Sequence, residues 1–185
     1  MQPVERATIL DYVTYEEQRE RIRAEVLAEK AVRRVHVGGV LTFLFENTET
    51  VRYQIQEMVR VERLVKEADI AHEIATYNDL IGGPGELGCT LLIEIEDAEV
   101  RAVKLRAWLE LPWHLYVKLE DGSKAYARFD ERQVGEERVS SVHYLKFDCR
   151  GRTPLAVGCD LVSCECESPL TPEQRFVPLP PMTTL

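Results

Sequence analysis

The stretch Leu41-Thr-Phe-Leu-Phe-Glu-Asn-Thr-Glu-Thr-Val-Arg-Tyr-Gln-Ile-Gln-Glu-Met-Val-Arg-Val-Glu-Arg-Leu64 decides how this chain folds. It opens as a near-continuous apolar run that reads as a buried strand and turns at Glu46-Asn47-Thr48. Asn47 or Thr48 caps the helix that follows, with Glu49 in the first turn, where the helix dipole favours a carboxylate. Val51, Ile55, Met58, Val61 and Val65 recur at helical spacing and are expected to face the core. The rest of this helix is crowded with Tyr, Gln, Glu and Arg. The stripe loses phase near Lys66 to Asp69 and restarts as Ile70, Ile74 and Tyr77, which predicts a kink or a second helix before Gly82-Gly-Pro-Gly85 ends it.

Working upstream, Thr14-Tyr-Glu-Glu17 has a capping-box pattern, so a charged helix is expected from about Tyr15 to Val32, with Ile22 and Val26 on its apolar stripe. Arg33 to Val37 reads as a short strand, Gly38-Gly39 as a hairpin turn, and Val40 to Glu46 as the returning strand. Downstream, Cys89 to Glu96 is a strand. Asp97 caps a helix carrying Val100, Val103, Ala107 and Leu111, which Pro112 stops. Trp113 to Glu120 and Ser123 to Asp130 alternate cleanly about Asp121-Gly122 and form a hairpin. Ser141 to Cys149 and Leu155 to Val162 are two more strands, and Thr171-Pro-Glu-Gln174 is a short capped turn of helix. The order predicts an α+β fold over residues 1–176, a largely antiparallel sheet with helices packed on one face, followed by an extended Pro-rich tail over residues 177–185.

Composition narrows the function. A net charge of −9 repels phosphate backbones and argues against nucleic acid as a partner. No apolar run approaches the roughly 18 residues a membrane helix needs. Met1-Gln-Pro-Val-Glu-Arg6 lacks a basic region followed by an apolar one, so the expected location is the cytoplasm, where the five cysteines are reduced thiols. The chain has no Walker loop, Gly-x-Gly-x-x-Gly, Gly-x-Ser-x-Gly or His-Glu-x-x-His motif.

The run Thr42-Phe-Leu-Phe-Glu-Asn47, then Thr50-Val-Arg-Tyr-Gln-Ile-Gln-Glu-Met-Val-Arg60, Glu62-Arg63, Glu73 and Tyr77-Asn-Asp-Leu-Ile81, resembles a bacterial protein family of unknown function. Glu86-Leu87, Arg128-Phe-Asp130 and Ser140-Ser-Val-His-Tyr-Leu-Lys-Phe147 extend the likeness to roughly residues 8–176. The resemblance implies no chemistry. It does imply company: genes of this family often lie beside those for rubrerythrin-like di-iron proteins and iron–sulfur oxidoreductases. An accessory protein of iron-dependent redox or oxidative-stress systems, with a redox iron protein as partner, is therefore expected. Family members tend to carry Asp-His-Pro near the last strand. Here that region reads Gly158-Cys-Asp-Leu-Val-Ser-Cys-Glu-Cys166, so no role for that histidine transfers.

The leading candidate site is the strand-to-helix junction with its polar helix face: Arg33, Arg34, Glu46, Asn47, Tyr53, Gln54, Gln56, Glu57, Arg60 and Glu62. Tyr53, Glu57 and Arg60 lie at i, i+4 and i+7 and line one stripe. This face is expected to bind a ligand, dock a partner or pair copies of the chain. The rival is a small enzyme, with Glu57 as general acid or base and Arg33 or Arg60 holding an anionic substrate. Ordinary surface ion pairs would give the same residue pattern. A second candidate is Cys159, Cys164 and Cys166, with His143 as the natural fourth ligand of a zinc or iron site. No cofactor is required by the sequence, and strand parity sets Cys159 opposite Cys164 and Cys166 unless the chain turns near Ser163. A third is the wet face of the late hairpin, where His114, Tyr116, Lys118, Lys124, Tyr126 and Arg128 mix bases with tyrosines. Glu120, Asp121 and Asp130 dilute that charge.

Overall fold

The computed structural model describes residues 1–175; the expected Pro-rich tail lies outside the described residues. The main elements are α1 (Tyr12–Arg33), β1 (Arg34–Val37), β2 (Leu41–Phe45), α2 (Thr48–Val61), α3 (Glu67–Asn78), β3 (Glu86–Ile93), α4 (Ala98–Ala107), β4 (Leu115–Leu119), β5 (Lys124–Arg128), β6 (Val142–Asp148), β7 (Pro154–Cys159) and β8 (Cys166–Pro169). The strands form one antiparallel sheet in the order β1-β2-β3-β6-β5-β4-β7-β8. The sheet curls until its edges meet, and the Ser168 hydroxyl on β8 donates to the His36 carbonyl on β1 at 3.1 Å. The result is α+β with a nearly closed barrel, a shape that leaves little exposed sheet edge. No helix among the described residues is long and apolar enough to cross a membrane.

The run Leu41–Phe45 is apolar because β2 is buried on both faces. Leu41, Phe43 and Phe45 enter the barrel core with Leu87, Cys89, Leu91, Leu145 and Phe147. Thr42 and Leu44, at alternate positions, are buried on the opposite face. A second, smaller core holds Val51, Ile55 and Val59 of α2, Ile70 and Ile74 of α3, and Val4 and Ile9 from the N-terminal segment. Two side-chain amides strap that segment down. Asn78 accepts from the Val4 N–H and donates to the Val4 carbonyl, at 2.7 and 3.0 Å. Gln56 does the same for Leu10, at 2.9 and 2.8 Å.

The hairpin at Gly38-Gly39 forms as expected, both glycines having positive φ. Several boundaries and faces differ from the sequence reading. α1 begins at Tyr12 because Asp11, not Thr14, caps it: its carboxylate accepts from the Val13 and Thr14 N–H groups and the Thr14 hydroxyl. On α2 the buried stripe is Val51, Ile55 and Val59, while Val61 and Val65 are exposed. On α4, Val100 and Val103 face solvent, and Leu105 with the following Trp108 joins the barrel core. β8 was not anticipated.

Candidate functional site

Asn47 fixes the start of α2. Its side chain accepts from the Thr50 N–H at 2.8 Å and the Thr50 hydroxyl accepts from the Asn47 N–H at 2.9 Å, a reciprocal cap. The Asn47 amide also donates to Glu29 of α1 at 2.7 Å. Glu46 is buried and held by two hydroxyls, Thr50 at 2.5 Å and Thr90 of β3 at 2.6 Å. Arg33 joins the same corner through Glu29 at 2.6 Å and the Phe45 carbonyl at 3.4 Å. Arg34 sits apart, exposed at the head of β1.

About two turns further along α2, Glu57 is the hub. It accepts from the Tyr15 hydroxyl at 2.6 Å, from Arg19 at 2.8 and 3.0 Å, and from Arg60 at 3.3 Å. Burial pushes its pKa up, but the Arg19 and Tyr15 hydrogen bonds and the charges of Arg19 and Arg60 outweigh that and bring it to about 2. Arg60 reaches on to Glu16 at 3.4 Å. Tyr53 carries the Lys30 ammonium 5.1 Å from its ring centroid. Gln54 lies beside Tyr77 of α3, whose pKa burial raises. Glu62 caps the C-terminus of α2 and is exposed.

The predicted residues therefore divide. Glu46, Asn47 and Arg33 form one corner, Glu57 and Arg60 form a second cluster, Gln56 holds Leu10, and Arg34 and Glu62 take no part. Four of their partners, Tyr15, Arg19, Glu29 and Lys30, lie on α1. The sequence reading missed them because nothing local says which face of α1 meets α2.

The arrangement disfavours Glu57 as a general base. A carboxylate with four donors on its oxygens has little room to accept a substrate proton, and its low pKa gives little driving force. The wet hairpin face is likewise neutralised from within. Asp160 takes His114 at 3.0 Å, Lys124 at 2.9 Å and Tyr126 at 2.7 Å, and Glu167 takes Tyr116 at 2.8 Å and Lys118 at 3.2 Å.

A cleft of about 540 Å³ opens between the end of α3 and the β5–β6 face. Tyr77, Leu80, Phe129 and Tyr144 supply apolar and aromatic surface, and Arg128 and Lys146 supply positive charge. Arg128 is largely exposed and contacts Glu86 at 3.1 Å. Trp113 meets Phe129 edge-on, with ring centroids 5.1 Å apart. Asp79 and Asp130 lie at the same cleft, the latter held by Arg132, whose hydrogen bonds bring it down to about 2.

The structure brings Cys159, Cys164 and Cys166 together, and separately buries His143 with Nε2 at 2.9 Å from the Ser140 carbonyl and Nδ1 without a hydrogen-bond partner. Burial lowers the His143 pKa and keeps the ring neutral near pH 7. Among the described residues no group of three or more His, Cys, Asp or Glu is arranged to hold a metal ion.

A family model described as "Protein of unknown function (DUF3501)" matches residues 3–176. A search of curated proteins finds no match. Among solved structures, this chain is similar to a novel protein of unknown function from Burkholderia pseudomallei, with a TM-score of 0.85 and 28% identity, covering 94% of this chain and 96% of that one.

Proposed function

We propose that this chain, which belongs to the DUF3501 family of proteins of unknown function, is an accessory binding protein whose ligand seat is the cleft between α3 and the β5–β6 face. The observation that supports this reading is where the charge goes. The carboxylates of the α1–α2 junction and the late hairpin are occupied by internal donors, whereas the cleft presents aromatic rings beside Lys146 and beside Arg128, which stays largely exposed despite its ion pair with Glu86. Its volume suits a small molecule, and rings flanked by cations suit a planar anion such as an aromatic carboxylate.

The test is a screen of aromatic carboxylates by thermal shift, followed by tryptophan fluorescence, with Trp113 reporting through its contact with Phe129. A hit should weaken by roughly tenfold in Arg128→Ala, the loss of one charge-assisted hydrogen bond, and bind unchanged in Glu57→Gln. A screen without hits, or binding indifferent to Arg128 and Tyr144, sinks the reading. The tie to iron-dependent redox systems rests on the sequence resemblance, and a pull-down from the native cell with iron measured on the eluate tests it.

A further inference from the structure

The five cysteines fall into two groups. Cys89 and Cys149 are buried, and burial pushes both thiols up, Cys149 to about 12. The other three meet at one place. β7 ends at Cys159, a short 3-10 turn spans Val162–Cys164, and β8 starts at Cys166, directly across from Cys159. Cross-strand partners project to the same face, and the turn folds Cys164 back onto them. The Cys164 thiol lies close enough to Cys159 and Cys166 for the three to perturb one another's ionisation. Cys166 in turn donates to the Cys164 carbonyl at 3.1 Å, and the Leu161 N–H donates to the Cys159 sulfur at 3.4 Å. Gly38 makes the space: a Cβ there would lie 2.8 Å from the Cys166 sulfur.

The cluster borders a hollow of about 250 Å³. Cys164 and Cys166 line it with Val40, Ile95, Val100 and Trp108, and Lys104 supplies a positive charge. Cys164 is only half-buried, whereas Cys159 behind it is fully buried. The interaction with Cys159, reinforced by Cys166 and the Lys104 charge against the cost of burial, lowers the Cys164 thiol to about 7; the same interaction and burial push Cys159 well up, and burial pushes Cys166 up to about 11. A half-exposed sulfur beside a lysine, its pKa lowered and a second thiol directly behind it, is the arrangement a reactive cysteine needs.

We propose that Cys164 is a peroxide-reactive thiol, that Cys159 resolves it, and that the hollow admits a small organic hydroperoxide. The Cys164 thiolate attacks the terminal peroxide oxygen. The S–O bond forms as the O–O bond breaks, and the alkoxide leaves and takes a proton from water to become the alcohol. Cys159 then gives up its proton and attacks the Cys164 sulfur. The S–S bond forms, the S–OH bond breaks, and hydroxide departs with that proton as water. One hydroperoxide and two thiols thus become one alcohol, one water and one disulfide, with the peroxide as oxidant. Cys166 is the poorer resolving group, because its S–H is engaged by the Cys164 carbonyl and a single residue separates the two, too tight a ring for relaxed disulfide geometry.

The test treats the full reduced chain with tert-butyl hydroperoxide. The intact mass should fall by two hydrogens, and two of the five thiols should vanish. Cleavage before Asp160 and after Glu165 places the three cysteines on separate peptides, so mapping the wild-type protein names the pair without relying on any variant folding. Cys164→Ser should abolish the reaction. Cys159→Ser should stop it at a sulfenic acid that dimedone captures, and Cys166→Ser should leave it intact. Lys104→Met should slow it roughly fivefold at pH 7 through a smaller thiolate fraction. A bond that maps to another pair, or Cys164 oxidising no faster than Cys166, overturns the proposal. Equal rates with hydrogen peroxide and the organic hydroperoxide overturn the role of the hollow.

Discussion

At Glu57, four donors from Tyr15, Arg19 and Arg60 meet one carboxylate in the seam between two helices. Its folded pKa, about 2, lies below the roughly 4.3 of an unfolded glutamate, so the folded state favours the ionised form. The stability it contributes is fully present above about pH 4.5 and is lost as the pH falls through 4 toward 2. Because the group is partly solvated, we expect about 1–2 kcal/mol rather than the full electrostatic value. In urea unfolding, Glu57→Gln should be destabilised by that amount at pH 7 and by much less at pH 2.5. A difference that does not change with pH would assign the effect to packing. Gln56 makes the neighbouring case. It is buried and satisfies both polar groups of the half-buried Leu10 backbone, so Gln56→Leu leaves that N–H and carbonyl without their partners and should cost about 1–3 kcal/mol. Free Leu10 amides would also show as faster hydrogen exchange near residue 10. The composition of α2 marked both residues as a polar concentration worth attention. It did not show that Glu57 faces Arg19 and Gln56 faces Leu10, because those partners lie 38 and 46 positions away.

Among the elements, the junction between β2 and α2 does the most to set the architecture. Asn47→Ala removes the reciprocal cap and the bond to Glu29, and about 1–2 kcal/mol should be lost, read as a lower urea midpoint with unchanged slope. Gly88 on β3 tolerates less. A Cβ there would lie 1.8 Å from the Leu80 carbonyl oxygen, a backbone atom that cannot rotate away. Gly88→Ala should therefore cost more than about 4 kcal/mol and yield little folded protein, whereas Gly39→Ala, with open space around it, should fold with only the strain of its positive φ. Elements with strong local signals were legible: the Gly38-Gly39 hairpin, the Asp97 cap, the Asp121-Gly122 hairpin and the break between α2 and α3. Their buried faces were less so. Periodicity picked Met58, Val61 and Val65 and passed over Val59, the residue that the packing of α3 buries. β8 escaped because it is short and half-exposed along its length and begins at a cysteine that read as a thiol candidate. The three cysteines were legible as a candidate, but strand parity alone set Cys159 on the opposite face, since only the turn and the pairing of β8 with β7 bring Cys166 across from Cys159.

Across the whole molecule, the chain builds two cores of unequal size. The barrel core runs continuously from Val35 to Leu170 and includes Leu105 and Trp108 beside it, whereas the layer of α1, α2 and α3 rests on a short apolar list helped by the Glu57 cluster and two amide straps. Buried apolar area is the larger stabilising term, and polar contacts of this kind add only about 1 kcal/mol each. Within the barrel, β3 and β6 are each paired with a strand on both sides, so their amides are protected by neighbours. Local opening follows the weaker contacts. Native-state hydrogen exchange should therefore find α1 opening at a free energy a few kcal/mol below that of β3 and β6, whose amides should exchange only on global unfolding. Glu57→Gln should lower the opening energy of α1 without changing the protection of β3. Exchange of α1 and β3 at one common free energy would show instead that the helical layer and the barrel unfold as a single unit, with the polar cluster at Glu57 coupling them rather than marking the seam where they part.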